Sequence, residues 1–351
     1  MQPDDLETPS DRVRARRLAR RATLTRRGLL VGGLVAAGGA VTALVAATLP
    51  DGGWPDAAPR DVASLPVPVP TEGTVSPAAE PAGAQTLLSI WAHPDDDIIF
   101  SNPGLTAAIA EGATVRTVFV TGGDAGRGLD YMRSRELGIM KAYNRMRGST
   151  ADWTPRQITL LTGARVTRFV PDDDPRFSLT MLRLPDGNLD ATGFAATGRT
   201  GLTQLLDGRA PTLSPLDGSP ALDVTRLRAS LAELVGAARP TRVSTHIPRG
   251  SAFAAGDHPD HSCVGELARG AAPAAGVSAT AVSYFLGYPS QSQPVNVSGG
   301  PLDDKVETYR TYAQDDPVIR CADAHACLAQ RGFGEWLRRS YSKSDTELQL
   351  R

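Results

Sequence analysis

The chain has 351 residues, 37 Lys and Arg against 38 Asp and Glu, and three cysteines. Without residues 1–27, which hold eight Arg and four acids (Asp4, Asp5, Glu7, Asp11), the balance is 29 basic against 34 acidic. A mildly acidic body argues against nucleic acid as a partner, and the length suits one sizeable α/β domain with its own core.

The amino-terminal segment ends in Thr25-Arg26-Arg27-Gly28-Leu29-Leu30 and is followed by an uncharged run from Gly28 to Leu49. Arginines ahead of a Gly- and Ala-rich run read as a twin-arginine export signal over residues 1–49, with small residues Val45, Ala46 and Ala47 permitting cleavage. The alternative is an uncleaved anchor that holds the protein to the membrane with its positive end in the cytoplasm. Either way the protein is expected outside the cytoplasmic membrane, secreted or anchored. Residues 50–84 are rich in Pro, Ala and Gly, with Pro66-Val67-Pro68-Val69-Pro70 inside them, and read as an extended tether. Residues 85–351 form the expected catalytic domain.

Within that domain an apolar, β-prone run, Thr86 to Ala92, stops at His93-Pro94-Asp95-Asp96-Asp97. A buried strand is predicted near Leu87–Trp91, with Pro94 stiffening the loop after it so that Asp95 and Asp96 point different ways. A helix near Gly104–Glu111, a strand near Val115–Val120 and a helix near Tyr131–Met146 follow. Arg133, on that second helix, offers a fork of donors to substrate hydroxyl or phosphate oxygens. The Thr-, Val-, Leu- and Phe-rich region Ile158–Leu184 is expected to add antiparallel strands, and Gly193–Pro220 to form loops at the border of a crevice. A helix near Val224–Ala238 precedes a strand near Val243–Thr245. His246 at that strand's end reads as a hydrogen-bonded structural residue. After Asp257-His258-Pro259-Asp260-His261 come a helix near Cys263–Gly270, a strand near Ala281–Leu286 and a helix near Leu302–Ala313. Strands alternating with amphipathic helices predict an α/β, Rossmann-like fold, with a mostly parallel sheet flanked by helices and a small antiparallel addition. Cys321 and Cys327 are close enough to close a small disulfide loop, as an oxidising compartment would permit. Cys263 is expected to pack behind the site, and His325 to lie on the surface.

The two polar segments hold three of the five histidines. Zinc accepts imidazole nitrogen and carboxylate oxygen, and a catalytic site combines three protein ligands with one open position. His93, Asp96 and His261 can supply that set and leave Asp95, His258 and Asp260 for proton transfer, a pattern for a metal-dependent hydrolase. Asp260 is expected to hold His258 as an imidazolium that serves a tetrahedral intermediate.

In this order the two segments resemble the PIG-L/LmbE-like family of zinc-dependent N-acetylglucosaminyl deacetylases. The likeness extends to Val115–Asp124, similar to the family's second strand and Thr-x-Gly turn, and to Arg133-Ser134-Arg135-Glu136, similar to its Arg-x-x-Glu helix. Leu182–Gly187 resembles its Leu-Pro-Asp-Gly turn, Arg239–His246 the strand before the His-Pro-Asp-His loop, and Lys305–Gln314 its closing helix, so that roughly residues 85–315 are covered. The resemblance implies one zinc ion held by His93, Asp96 and His261, Asp95 as general base, and His258 stabilising the oxyanion or protonating the leaving amine. It implies as substrate an N-acetylated sugar or glycoconjugate, the alternatives being another amide, such as a thiol-sugar conjugate, or a non-catalytic sugar- or envelope-binding protein. Two departures stand out. Asp97 replaces the usual Glu with a side chain one methylene shorter, and residues 144–178 exceed the usual segment, which is expected to change substrate choice rather than chemistry.

Overall fold

The computed structural model describes residues 85–350 and, upstream of them, the short strand Thr71–Glu72. The expected export segment and the rest of the tether lie outside the described residues. Among those described, no helix is long and apolar enough to cross a membrane.

Nine strands, β1 (Thr71–Glu72), β2 (Thr86–Trp91), β3 (Thr114–Thr121), β4 (Trp153–Thr159), β5 (Arg165–Pro171), β6 (Phe177–Leu184), β7 (Arg242–His246), β8 (Val282–Phe285) and β9 (Ser342–Lys343), form one mixed sheet. Its order is β1-β4-β5-β6-β3-β2-β7-β8-β9. The centre from β6 to β8 is parallel. Antiparallel pairing is confined to β4 with β5, β5 with β6, and the edge strand β9 with β8. The region Ile158–Leu184 thus supplies the expected antiparallel pairs. Its last strand also enters the parallel core beside β3, where every residue from Phe177 to Leu184 is buried.

Side chains alternate across the sheet as the two-residue strand period requires, and both faces are covered. Leu88 and Ile90 of β2 point into one apolar cluster, shared with α4 (Val224–Ala238) and α5 (Pro259–Ala274). Leu87 and Trp91 point into the other, shared with α1 (Gly104–Ala110), α2 (Leu129–Arg147) and α6 (Gly299–Ala313). Short helices α3 (Leu202–Leu206), α7 (Ala324–Ala329) and α8 (Phe333–Leu337) complete the layers. Cys321 is bonded to Cys327, and Cys263 is a free, buried thiol on α5.

From β2 the chain runs outward to β3 and later β6 on one side, then returns to lay β7 and β8 on the other. The order therefore reverses between β3-β2 and β7, and open α/β sheets form their binding crevice at the carboxyl ends of strands at such a point. His93 stands two residues past the end of β2 and β7 ends with His246, so both emerge there.

Candidate metal centre

The loop after β2 is a tight turn built on one carbonyl: His93 O accepts the N–H groups of Asp95 (2.8 Å) and Asp96 (3.2 Å). The Asp96 side chain folds back, its Oδ2 accepting His93 N–H at 2.7 Å. A single wide turn, Asp97–Ser101, carries the chain away. Here the shortened Asp97 finds its own partner. Its Oδ2 accepts the Tyr143 hydroxyl at 2.6 Å, and Tyr143 also bonds Thr117 Oγ1 at 2.6 Å. The tyrosine reaches it from α2.

The second loop is ordered by the start of α5. His258 is the N-cap residue, Pro259 occupies the first turn where its missing N–H costs nothing, and His258 Nδ1 accepts the Asp260 N–H at 3.1 Å. This cap starts the helix earlier than the pattern from Cys263 suggested and puts Asp260 and His261 on its first turn, both fully buried.

The two loops meet around Asp96. Its Oδ1 lies 3.1 Å from His261 Nε2, and its Oδ2 lies 3.0 Å from His246 Nε2 and 3.3 Å from His93 Nδ1. The His246 and His261 rings stack at 4.0 Å between centroids. Nearby, His93 Nε2 faces Asp260 Oδ2 at 3.5 Å and Asp186 Oδ2 at 3.8 Å. Three overlapping sets bring donor atoms close enough to share one ion: His93, His258 and His261; Asp96, His246 and His261; and His93, Asp186, His258 and Asp260. All these residues are buried, and His93 Nε2, His261 Nε2 and Asp260 Oδ1 lack a hydrogen-bond partner there. Buried polar atoms are rarely left unpaired, so these residues fit a metal ion, which would satisfy ring nitrogens that the protein does not.

A carboxylate orients His261 from behind, as ligating imidazoles require. Asp257 Oδ1 accepts from His261 Nδ1 at 2.8 Å, which leaves Nε2 facing Asp96. Asp260 accepts the Gly187 N–H at 2.8 Å and faces His93. This corrects the expected Asp260–His258 pair. The carboxylate stands 4.0 Å from His258 Nδ1, which is already engaged as acceptor of the cap bond. A ring nitrogen that accepts carries no proton, so the neutral His258 ring bears its proton on Nε2, 3.8 Å from Asp186 Oδ1.

The electrostatics sort the histidines into two kinds. Burial drives His258 down to about 3, reinforced by the neighbouring His93, and His246 down to about 4, reinforced by His261. Burial thus favours the neutral ring at both, against the imidazolium expected at His258. Burial opposes charge on His93 and His261 as well, yet Asp96 outweighs it in both, helped by Asp260 and Asp186 at His93 and by Asp257 at His261. The first is held well above its ordinary value and the second at about 9. Positive charge is thus demanded where the carboxylates converge, and a divalent cation supplies it.

Asp95 and Asp96 differ although adjacent. Asp96, despite burial, is held far below the carboxylate range by His261, His93 and His246. Asp95 faces the other way and pairs with Arg135 through Oδ1 at 2.7 Å. Burial raises it to about 6 against the pull of that guanidinium.

The structure therefore brings six of the seven sequence-derived site residues together: His93, Asp95, Asp96, His258, Asp260 and His261. It does not bring Arg133, whose half-exposed side chain lies on α2 near Asp130 at 4.0 Å. The buried guanidinium is Arg135, two positions on. His246, expected as a hydrogen-bonded structural residue, is bonded to Asp96, while no site role was assigned to Asp257, Asp186, Arg135 or Tyr288, whose ring packs edge-on against His261 at 5.1 Å. Asp257 and Asp186 were legible as acids beside motif residues. His246 gave a signal in ending a strand at the crevice, whereas Arg135 and Tyr288 gave none.

A family model described as GlcNAc-PI de-N-acetylase, PIG-L, matches residues 88–272. No curated protein sequence matches the chain. Among solved structures, a conserved protein of Thermus thermophilus is 19% identical with a TM-score of 0.39, covering 74% of this chain and 92% of that one. The zinc-inhibited form of a teicoplanin deacetylase is 17% identical with a TM-score of 0.39, covering 69% and 89%. N,N'-diacetylchitobiose deacetylase from Pyrococcus horikoshii is 14% identical with a TM-score of 0.40, covering 74% and 82%.

Proposed function

The chain belongs to the PIG-L family of de-N-acetylases, and on that premise we propose that it is a zinc-dependent hydrolase removing an N-acyl group, acetyl foremost, from an N-acetylglucosamine-like sugar or glycoconjugate. The observation that carries this reading is the division of labour between neighbouring carboxylates: Asp96 lies among three imidazoles while Asp95 is held apart by a guanidinium. A site built only to bind would need no second carboxylate kept free of the first.

In this reading His93, Asp96 and His261 hold the metal, with Asp257 orienting the His261 imidazole through Nδ1. Zinc in such a site supplies Lewis acidity, polarising an acyl carbonyl and making water acidic near pH 7. Asp95 takes the proton from the attacking water as its oxygen adds to the acyl carbon. His258, neutral and carrying its proton on Nε2, donates a hydrogen bond to the oxygen of the tetrahedral centre. When the C–N bond breaks, the proton on Asp95 passes to the amine nitrogen, leaving carboxylic acid and free amine. His258 needs no proton of its own to give, in keeping with an Nδ1 that already accepts the Asp260 N–H.

We place this activity outside the cytoplasmic membrane, secreted or anchored. The support is Arg26-Arg27 and the uncharged run that follows. The test of function is acetate release by the zinc-loaded full chain from a panel of N-acetylated hexosamines and their conjugates. Release abolished by a chelator and restored by zinc is the expected result. A zinc-loaded chain that releases no acyl group from any of them would refute the reading.

A further inference from the structure

Asp95 and Asp96 are both buried carboxylates on one turn, yet only Asp96 joins a set of donor atoms close enough to share an ion, and residue type alone does not decide between them. The decision lies in what stands behind Asp95. Arg135 Nη2 holds Asp95 Oδ1 at 2.7 Å, and the guanidinium is itself fixed on its other sides. Its Nη1 donates to Gly123 O at 2.6 Å and its Nε donates to the Tyr312 hydroxyl at 2.7 Å. Asp316 completes the frame, accepting from Tyr312 at 3.1 Å and facing Arg135 Nε at 3.5 Å. Arg135, Tyr312 and Asp316 are all buried. Gly123 must be glycine, because its backbone is left-handed and a Cβ would strike the Arg135 guanidinium.

We propose that Arg135, braced by Tyr312 and Asp316, is a positioning residue that keeps Asp95 out of the metal's coordination and so reserves it as the base. Tyr312 and Asp316 lie beyond residues 88–272, so the bracing comes from the carboxyl-terminal part of the chain, outside the family match. The inference rests on the reading of the site as a metal-dependent hydrolase, but it makes a claim that an activity assay does not exhaust. A merely structural arginine, when lost, loosens the site, and metal affinity and turnover fall together. An arginine that restrains a competing carboxylate behaves differently, because its loss removes a buried positive charge near the cation and frees Asp95 to coordinate. Metal affinity then rises while turnover falls.

The experiment compares the full chain with Arg135→Gln and Tyr312→Phe, measuring zinc affinity by competition with a chromophoric chelator and turnover in parallel. In Arg135→Gln zinc should bind about tenfold tighter or more while kcat falls by about 10- to 100-fold with KM little changed. Tyr312→Phe, which removes one hydroxyl and keeps the ring, should move both quantities the same way by less, and it decides the matter if Arg135→Gln fails to fold. Zinc binding that is equal or weaker in both variants would overturn the proposal. If the parent releases no acyl group, the functional reading fails, while the sign of the affinity change still decides the role of Arg135.

Discussion

Asp257 makes the most informative single perturbation, because His261 is the only site side chain it bonds among its three partners. Its Oδ1 accepts from His261 Nδ1 at 2.8 Å and also from the backbone N–H groups of His258 (2.8 Å) and Tyr288 (3.0 Å). In Asp257→Asn the amide oxygen can keep all three bonds, so the loop and the His261 tautomer survive and only the charge is lost. That charge, with Asp96, holds His261 at about 9 against burial, and without it the imidazole becomes a poorer donor. Carboxylates behind ligating histidines are typically worth 10- to 100-fold in metal affinity, or about 1.4–2.7 kcal/mol. Asp257→Asn should fall near the lower figure, and Asp257→Ala, which abandons all three bonds, near the upper one. Gly287→Ala should act the same way from outside, since a Cβ there would press on the Asp257 carboxylate and His261 Nδ1. The assay is zinc competition with a chelator at constant pH. Affinity within twofold of the parent in both Asp257 variants would refute the assignment of His261 Nε2 as a ligand atom.

Other consequences follow from individual groups. Asp95→Asn should keep its metal and lose about two to four orders of magnitude in turnover, and metal loss in that variant would make Asp95 a ligand instead. His258→Ala should lower kcat by about 10²–10³ with metal retained, as for loss of one oxyanion donor. Asp260→Asn should leave the alkaline limb of the pH–rate profile in place, because its carboxylate faces His93 and not a charged His258; a shift of that limb to lower pH would restore the imidazolium. Lys305 on α6 donates to Arg339 O at 2.7 Å, and burial pushes it down to about 7. Its folded value lies below the unfolded one near 10.4, so the unfolded chain binds more protons between about pH 7 and 10.4 and stability should rise across that window. Lys305→Met should remove that rise, by roughly 4 kcal/mol, as read from urea midpoints at about pH 6.5 and 10; parallel pH dependence in parent and variant would refute the buried titration.

Much of the fold was legible because it is written in short-range pattern. The strand before His93, the strand Val115–Val120 and the helix Val224–Ala238 announce themselves by period and stop signals, and the structure gives Thr86–Trp91, Thr114–Thr121 and Val224–Ala238. The metal-binding segments were legible as clusters of unusual residue types. What was not legible depends on contacts between distant positions. Arg135 is one of two arginines three residues or fewer from Glu136, and only the helix phase, turning Arg135 inward to Asp95 and Arg133 outward to Asp130, tells them apart. The tautomer of His258 is set by a helix cap, and the service of Tyr143 to Asp97 by strand and helix packing across 46 residues. Residues that act alone on a loop could be read from sequence, and residues that act by holding another could not.

The account turns on a buried His/Asp set that holds one divalent metal while Asp95 stands beside it as base. The most direct measurement is elemental analysis of the purified full chain and of His93→Ala, Asp96→Ala, His261→Ala and Asp95→Asn after zinc loading and removal of free metal. About one zinc per chain in the parent and in Asp95→Asn, with strong loss in the other three, is the predicted result. Equal zinc in all five proteins, or loss in Asp95→Asn alone, would contradict it.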